Sequence, residues 1–83
     1  MSLGPSLIKL LSQKLEPSAM IERKFKGYDL MIKTDEEGNA ILLFMGKKTE
    51  SGTINGHRFA RRLVKNADGI IIKDHWDDKG KTY

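Results

Sequence analysis

The residues in this sequence most able to do chemistry are the basic ones in its last third. Residues 57–73 carry five positive charges and one negative charge, a local +4 that equals the net charge of the whole chain. If this segment belongs to a β-hairpin, four basic side chains fall on one of its faces. Such side chains neutralise phosphates, and arginine also binds phosphate or carboxylate through two parallel hydrogen bonds. The pattern predicts a polyanion-binding face whose candidate residues are Arg58, Arg62, Lys73 and His75.

A second interpretation of the same face is a solvated surface on which the arginines pair with nearby acids. Asp77, Asp78 and Glu22 are the carboxylates that could neutralise the arginines. No pair of aromatic residues falls on the basic face, so the sequence gives no indication of the base stacking on which many RNA-binding sheets depend. Both interpretations stay open, with nucleic acid or another polyanion as the ligand in the first.

The acidic stretch at residues 74–78 holds one histidine and three carboxylates, which are possible ligands for a divalent cation. Its spacing fails the calcium-loop pattern, because the third position is Trp76 and the sequence ends before the required glutamate. One histidine is too few for a typical zinc site, and the chain has no cysteine. A metal-assisted enzyme would need His57 to approach His75 and Asp77. We expect no metal and no cofactor, and we expect the acids to pair with neighbouring arginines.

Two further segments resemble parts of enzyme active sites, but neither has all the residues that the corresponding chemistry requires. The segment GKKT at residues 46–49 resembles the end of a phosphate-binding loop, but the position of the first required glycine is Ile41. The hydroxyl groups at positions 49, 51 and 53 have no paired base other than His57. The polar run at residues 47–56 is instead predicted to be a mobile connection of the kind where partners bind. The sequence therefore favours a protein that is not an enzyme.

The elements that position these residues are strands. From residue 21 onward, apolar and polar residues alternate in the runs 21–26, 28–34 and 40–45, as in half-buried strands. Glycine ends a four-residue loop at 35–38, a common hairpin connection. This loop pairs Ile32 with Ile41, Leu30 with Leu43 and Tyr28 with Met45. Since the run 40–45 looks buried on both faces, we place that strand at the centre of the sheet.

A second loop of the same kind, at residues 66–69, is predicted to join the last two strands. It pairs Leu63 with Ile72, Arg61 with Asp74 and Phe59 with Trp76, so that the basic residues face the other way. A shorter loop at 68–69 would put Leu63 opposite Asp74. We favour the loop at 66–69 over it, because the shorter loop forms fewer aromatic and opposite-charge pairs between the strands. Residues 57–66 also fit a helical stripe. This alternative stays open, although the β-branched run that follows favours a strand.

The N-terminal segment is predicted to form a short amphipathic helix of about eleven residues, a length that is marginal on its own in water. A proline at position 17 ends it. Leu7, Leu11 and Leu15 recur at four-residue spacing and form its apolar stripe. We expect the helix to dock on the sheet of its own chain or on a second copy. Because Met20 could be an alternative start, residues 1–19 are either a helix with a linker or an extension, before a small antiparallel β domain at 20–83.

Length and composition limit the number of domains and the class of protein. Eighty-three residues, 39% of them hydrophobic and 31% charged, suit one small globular domain. No apolar run is long enough to span a membrane and no secretory signal is recognisable, so we expect a cytoplasmic protein without membrane contact. The expected fold is mainly β: an antiparallel meander of four or five strands, forming a curled sheet or a small barrel, with one short N-terminal amphipathic helix.

The expected function is that of a small, non-enzymatic binding or interaction module with no small-molecule substrate. A protein partner or self-association is favoured, and binding of nucleic acid or another polyanion through the basic hairpin face is the alternative. If the partner is a second copy, the three leucines of the N-terminal helix should lie buried between chains. If the partner is a polyanion, those leucines can be covered within one chain while Arg58, Arg62 and Lys73 stand free.

Overall fold

The computed structural model describes residues 3–82 as one antiparallel sheet with one short helix. The elements are α1 (Pro5–Leu11), β1 (Met20–Phe25), β2 (Tyr28–Thr34), β3 (Ala40–Lys48), β4 (Ile54–Lys65) and β5 (Ile71–Lys81). Each strand pairs with the next in the order β1-β2-β3-β4-β5, so β3 lies at the centre. The predicted meander with an N-terminal helix is confirmed. Since β1 and β5 do not pair with each other, the sheet is curled and not closed into a barrel.

Tight turns connect every pair of neighbouring strands. Between β1 and β2, Lys26 and Gly27 have positive φ angles of 47° and 83°, the two-residue geometry that matches the twist of a hairpin. The other three turns share one arrangement, in which a glycine with positive φ donates its N–H to the carbonyl oxygen three positions earlier. The donor–acceptor distances are 3.1 Å for Gly38, 3.0 Å for Gly52 and 3.0 Å for Gly69.

The run at residues 47–56 is not the irregular connection that its composition predicts. β3 extends to Lys48 and β4 begins at Ile54, so the turn occupies residues 49–53 alone. The composition misled because the glycines that bracket the run, Gly46 and Gly56, lie opposite each other inside paired strands. A side chain on either glycine would overlap the backbone of the neighbouring strand. These glycines permit a close approach of β3 and β4 and do not mark a loop.

The predicted register of the β2–β3 hairpin is wrong by two residues. Ile32 lies opposite Leu43, not Ile41, and Leu30 lies opposite Met45, not Leu43. Two causes add up: Asp35 pairs with the residue after the turn, and a bulge at Ile41 leaves that residue without a direct partner. Because side chains alternate with a period of two, an even displacement leaves residues 42–45 on their predicted faces. Ala40 is the exception: it was expected on the mixed face, but it lies before the bulge, opposite Thr34, and is buried in the core. The apolar face of the hairpin is therefore preserved.

The last hairpin differs from the prediction in the same way. Leu63 lies opposite Asp74, as in the arrangement that the pairing argument rejected, although the turn is still the one at residues 66–69. Asn66 pairs with Ile70 after the turn, which displaces the register by one residue, and a register shift between Val64 and Lys65 adds the second. The amide oxygen of Asn66 fixes the turn by accepting hydrogen bonds from the N–H groups of residues 68 and 70, at 2.9 and 3.0 Å. The strand prediction for residues 57–66 is confirmed over the helical alternative, since β4 covers 54–65.

The hydrophobic core lies between α1 and one face of the sheet. Leu7 and Leu11 are buried there in one cluster with Ile32, Leu43 and Phe59, which come from the three central strands. Burial of one large aliphatic side chain stabilises the fold by roughly 1.5–3 kcal/mol, so the helix supplies a substantial part of a small core. The leucines are thus covered within one chain.

The helix is shorter than the leucine spacing predicts. It has seven residues and ends at Leu11, where the hydroxyl of Ser12 donates to the carbonyl oxygen of Ile8 at 2.7 Å. Leu15 lies beyond the helix, half-buried against the core, and its N–H donates to the carbonyl oxygen of Gly38 at 2.8 Å. This long-range hydrogen bond replaces the next helical turn. Within residues 3–82, no helix is long and apolar enough to cross a membrane.

Candidate functional site: the open face of the sheet

The sheet has a second face that α1 does not cover, and we call it the open face. Cross-strand pairing shows which residues share it, because directly opposite residues point to the same side. Its side chains from β1 to β3 are Met20, Glu22, Lys24, Asp29, Met31, Lys33, Leu42, Phe44 and Lys48, and those from β4 and β5 are Ile54, Arg58, Ala60, Arg62, Val64, Lys73, His75 and Asp77. The four residues proposed from sequence for polyanion binding all belong to it.

Three of these residues form what we call the basic patch: Arg58, Arg62 and Lys73. All three are exposed, and none makes a hydrogen bond or ion pair within the part of the chain that the structure describes. Arg62 lies opposite His75, and Lys73 lies opposite Val64, two residues further along. Strand spacing and rise put the Cα atoms of Arg62 and Lys73 about 8 Å apart, and those of Arg58 and Arg62 about 13 Å apart.

The carboxylates that could have neutralised the patch are engaged elsewhere. Asp77 binds His75, with 2.8 Å between Oδ1 and Nε2, and Glu22 binds the ammonium of Lys48 at 2.9 Å. Asp29, at the far side of the sheet, accepts the backbone N–H of Lys48 at 2.9 Å, and this hydrogen bond lowers the pKa of its carboxyl group. Asp78 lies on the other face, opposite Phe59, and its Oδ1 accepts the backbone N–H of Gly80 at 2.7 Å. None of the three acids proposed from sequence therefore neutralises Arg58 or Arg62.

Apolar side chains continue the open face next to the basic patch. Phe44 lies directly opposite Arg58 and on its other side opposite Met31, and Leu42 lies opposite Ala60. All four apolar side chains are half-buried, because no second layer of described residues packs on them. A groove of about 430 Å³ runs along this part of the face towards the turn between β3 and β4. The face combines an apolar strip with unpaired positive charge at its edge.

Arg61, by contrast, points to the helix face and has a structural role. Its guanidinium donates two hydrogen bonds of 2.7 Å to the carboxylate of Asp74. It also donates to the carbonyl oxygens of Leu11 at 3.2 Å and Ala40 at 3.1 Å, and its side chain is only 6% exposed. The hydrogen bonds from Arg61 hold the pKa of Asp74 below its usual value. The side-chain pairing of Arg61 with Asp74 matches the sequence prediction, although Arg61 lies opposite Trp76 in the strand register.

The residues considered for metal or nucleophilic chemistry do not converge. His57 lies on the helix face, where its ring stacks with Phe59 at 6.3 Å between centroids, and His75 lies on the open face. The sheet therefore separates the two histidines, and residues 3–82 contain no group of three or more histidine and acidic side chains placed to hold a metal ion. The hydroxyls of Thr49, Ser51 and Thr53 hydrogen-bond one another within their turn.

The association candidates are placed differently from the basic ones. Leu7 and Leu11 are buried on the chain's own sheet, and Leu15 is half-buried at the end of the same core. In this conformation none of the three forms an exposed stripe that a second copy could cover. The exposed apolar side chains lie instead at the tip of the last hairpin, among them Val64 and Ile72.

Sequence reasoning missed part of the open face. Phe44 and Leu42 were assigned to a strand buried on both sides, and the exposed ammonium of Lys33, opposite Leu42, was left out of the basic face. The available signal was chain length, since a chain of this size has too few residues to cover both faces of a five-stranded sheet. Comparison with protein-family models, with curated proteins and with solved structures finds no match to this chain.

Proposed function

We propose that this chain is a non-enzymatic binding module whose open face takes single-stranded nucleic acid. The observation that carries the proposal is the basic patch, in which Arg58, Arg62 and Lys73 are exposed and unpaired on one face. Cationic side chains that lack an internal partner are available for phosphates, whose counterions are released on binding. Their placement along neighbouring strands makes a basic track and not a single point charge.

The apolar strip beside the patch favours a single strand over a duplex. Proteins that bind single strands without sequence preference combine a basic groove with aromatic side chains on which bases stack. Phe44 lies directly opposite Arg58, so an aromatic ring and a phosphate-binding cation are cross-strand neighbours. A duplex hides its bases and would contact the track through phosphates alone. The coverage of Leu7 and Leu11 within one chain also supports a polyanionic partner over association through the helix.

The proposal is tested with an oligothymidylate of about 12 nucleotides that carries a fluorescent label, titrated with the full chain at about 0.1 M salt. The test variant is Arg58→Gln/Arg62→Gln. The matched control is Lys9→Gln/Lys26→Gln, which removes the same charge from exposed residues outside the open face. Each phosphate contact with a single strand contributes about 0.7 log units at this salt concentration, so losing two weakens binding about 25-fold. We expect the control to change affinity by less than about threefold, as surface charges away from the contact do.

Two further measurements separate nucleic acid from other anions. Phe44→Ala should weaken binding by about 1–3 kcal/mol without changing the slope of affinity against salt, because stacking releases no counterions. Polyglutamate and heparin serve as competitors, and a matched duplex serves as an alternative ligand. Equal weakening by both double variants, equal competition by polyglutamate, or no binding of the wild-type chain at low salt would each contradict the proposal.

The proposal retains the cytoplasmic location expected from sequence.

A second candidate function is association of the chain with itself, the partner class that the sequence favoured. The exposed edge strand β5 is the observation that supports it.

A further inference from the structure

The strand β5 forms an edge of the sheet and has features that favour pairing with a further strand. Within residues 3–82 it has a strand neighbour on one side only, β4, so the backbone groups of its other side have no strand partner. Ile70, which precedes it, and Ile71 and Ile72, at its start, are 59%, 41% and 63% exposed. The opposite edge, β1, has six residues against the eleven of β5, and its one exposed large apolar side chain is Met20. Very short edge strands resist pairing, whereas long edges with exposed apolar residues invite it.

We propose that a second copy of this chain pairs with β5 in antiparallel orientation, centred on His75. The two copies are related by a two-fold axis perpendicular to the sheet, which leaves each side chain on the same face in both copies. Since directly opposite residues share a face, the axis must pass beside one residue, which then lies opposite its own copy. Ten strands then form one continuous sheet. This inference does not rest on nucleic-acid binding.

The charges along β5 select this register. Centring on Lys73 or Asp74 would place each of these residues opposite its own copy, and like charges directly opposite each other are destabilising. Centring on Trp76 would place Lys73 opposite Lys79 and Asp74 opposite Asp78. Centring on Asp77, Asp78 or Lys79 again sets a charge against itself, and centring on Ile71 or Ile72 stops after a few residues because the turn at 66–69 intervenes.

The register centred on His75 places no lysine opposite a lysine and no aspartate opposite an aspartate. Lys73 of each copy lies opposite Asp77 of the other, which gives two equivalent opposite-charge pairs on the open face. Asp74 lies opposite Trp76, Ile71 lies opposite the aliphatic stem of Lys79, and Ile72 lies opposite Asp78, the one mismatched pair. The two complementary Lys73–Asp77 pairs are what commits the edge to a second copy and not to an arbitrary strand.

Pairing in this register changes the size of the open face. Arg62 lies opposite His75, one strand from the two-fold axis, so the Arg62 side chains of the two copies lie on the same face of the joined sheet, with the Lys73–Asp77 pairs between them. An edge-to-edge contact of this length buries less surface than stable dimers do, and we expect a weak, concentration-dependent dimer.

Charge reversal tests the register. The single variants Lys73→Glu and Asp77→Lys each create two like-charge pairs across the axis and should not dimerise. The double variant Lys73→Glu/Asp77→Lys restores opposite charges, and so does an equimolar mixture of the two single variants, in which both cross-axis pairs become attractive. Sedimentation equilibrium from about 10 μM to about 1 mM measures the average mass of each sample, a range suited to a weak interface. We expect dimers in the wild type, the double variant and the mixture only.

A crosslink provides a second measurement. The natural chain has no cysteine, so His75→Cys places one thiol in each copy at the proposed axis. Directly opposite residues of antiparallel strands have Cα atoms about 4.5–5.5 Å apart, within the range of disulfides. His75→Cys should therefore form a covalent dimer under mild oxidation, while the control Lys79→Cys, which faces Ile71, should not. A monomeric wild type at about 1 mM, single variants that dimerise normally, a mixture that stays monomeric, or equal crosslinking of both cysteine variants would each overturn the proposal.

Discussion

Two turn glycines offer a matched pair of substitutions, Gly38→Ala and Gly69→Ala. Both glycines occupy the fourth position of the same kind of turn, with φ of 82° and 78°. They differ in what a side chain would meet. A Cβ at Gly69 has no atom within 4 Å, whereas a Cβ at Gly38 would overlap the carbonyl oxygen of Leu15. The pair therefore separates the strain of positive φ, which is common to both, from the packing of the N-terminal segment on the turn.

The magnitudes follow from these contacts. An alanine in the left-handed region costs about 1–2 kcal/mol, which is the whole effect expected for Gly69→Ala. Gly38→Ala also displaces Leu15, whose N–H donates to the carbonyl oxygen of Gly38 at 2.8 Å. Losing this hydrogen bond costs about 0.5–1.5 kcal/mol, and exposing the half-buried leucine costs about 1 kcal/mol more. We expect a total loss of about 3–4 kcal/mol in the free energy of unfolding for Gly38→Ala.

Equilibrium unfolding in urea measures both losses, and a slope near 1 kcal/mol per M translates them into midpoint shifts of about 1–2 M and about 3–4 M. Amide exchange at Leu15 gives a local measurement, since its protection should fall in Gly38→Ala and persist in Gly69→Ala. Equal destabilisation by the two substitutions would refute the reasoning, because it would mean that contact with Leu15 contributes nothing to stability.

Two other predictions concern the polar network beside α1. Arg61→Met should lower the free energy of unfolding by about 3 kcal/mol, because it leaves the carbonyl oxygens of Leu11 and Ala40 without their donor. Thermal unfolding would show this, with the exposed, unpaired Arg62→Met as a control that changes stability by less than about 0.5 kcal/mol. The second concerns pH: because the pKa of Asp74 is lowered in the folded state, its stabilisation is present above the ordinary value of about 3.9 and is lost as pH falls through the lower folded value. The stability difference between wild type and Asp74→Asn should therefore shrink from pH 6 towards pH 2, and a constant difference would contradict this assignment.

The order of elements could be predicted from sequence, because alternation and turn glycines are local signals. Register could not, since the glycine of the turn at 66–69 is compatible with more than one pairing and nothing in the residue types marks Ile41 as a bulge. Faces were nevertheless assigned correctly except at Ala40, which the bulge at Ile41 moves to the core face, because both errors are displacements by two. The end of α1 was also beyond local reasoning, since Leu15 continues the helical spacing but is held by a hydrogen bond to a distant turn.

The candidate site was predictable in its charges and not in its surroundings. Arg58, Arg62 and Lys73 share a face in any even register of the last hairpin, so their grouping follows from the strand assignment alone. The separation of His57 from His75 follows from the same parity. The neighbouring apolar strip depends on which strand lies beside β4 and on what covers it, and both are properties of the whole sheet. Phe44 could be placed beside Arg58 only when the structure was available.

The last hairpin could be lengthened or shortened by two residues in each strand without changing which face each side chain occupies. Beyond Leu63 the strands β4 and β5 carry exposed side chains on both faces, so no core contact fixes where the hairpin ends. Inserting two residues in each strand beside the turn moves the tip outward by about 7 Å and leaves every side chain on its original side. This tip is therefore a permissive position for a grafted recognition peptide or an affinity tag, presented away from the folded body.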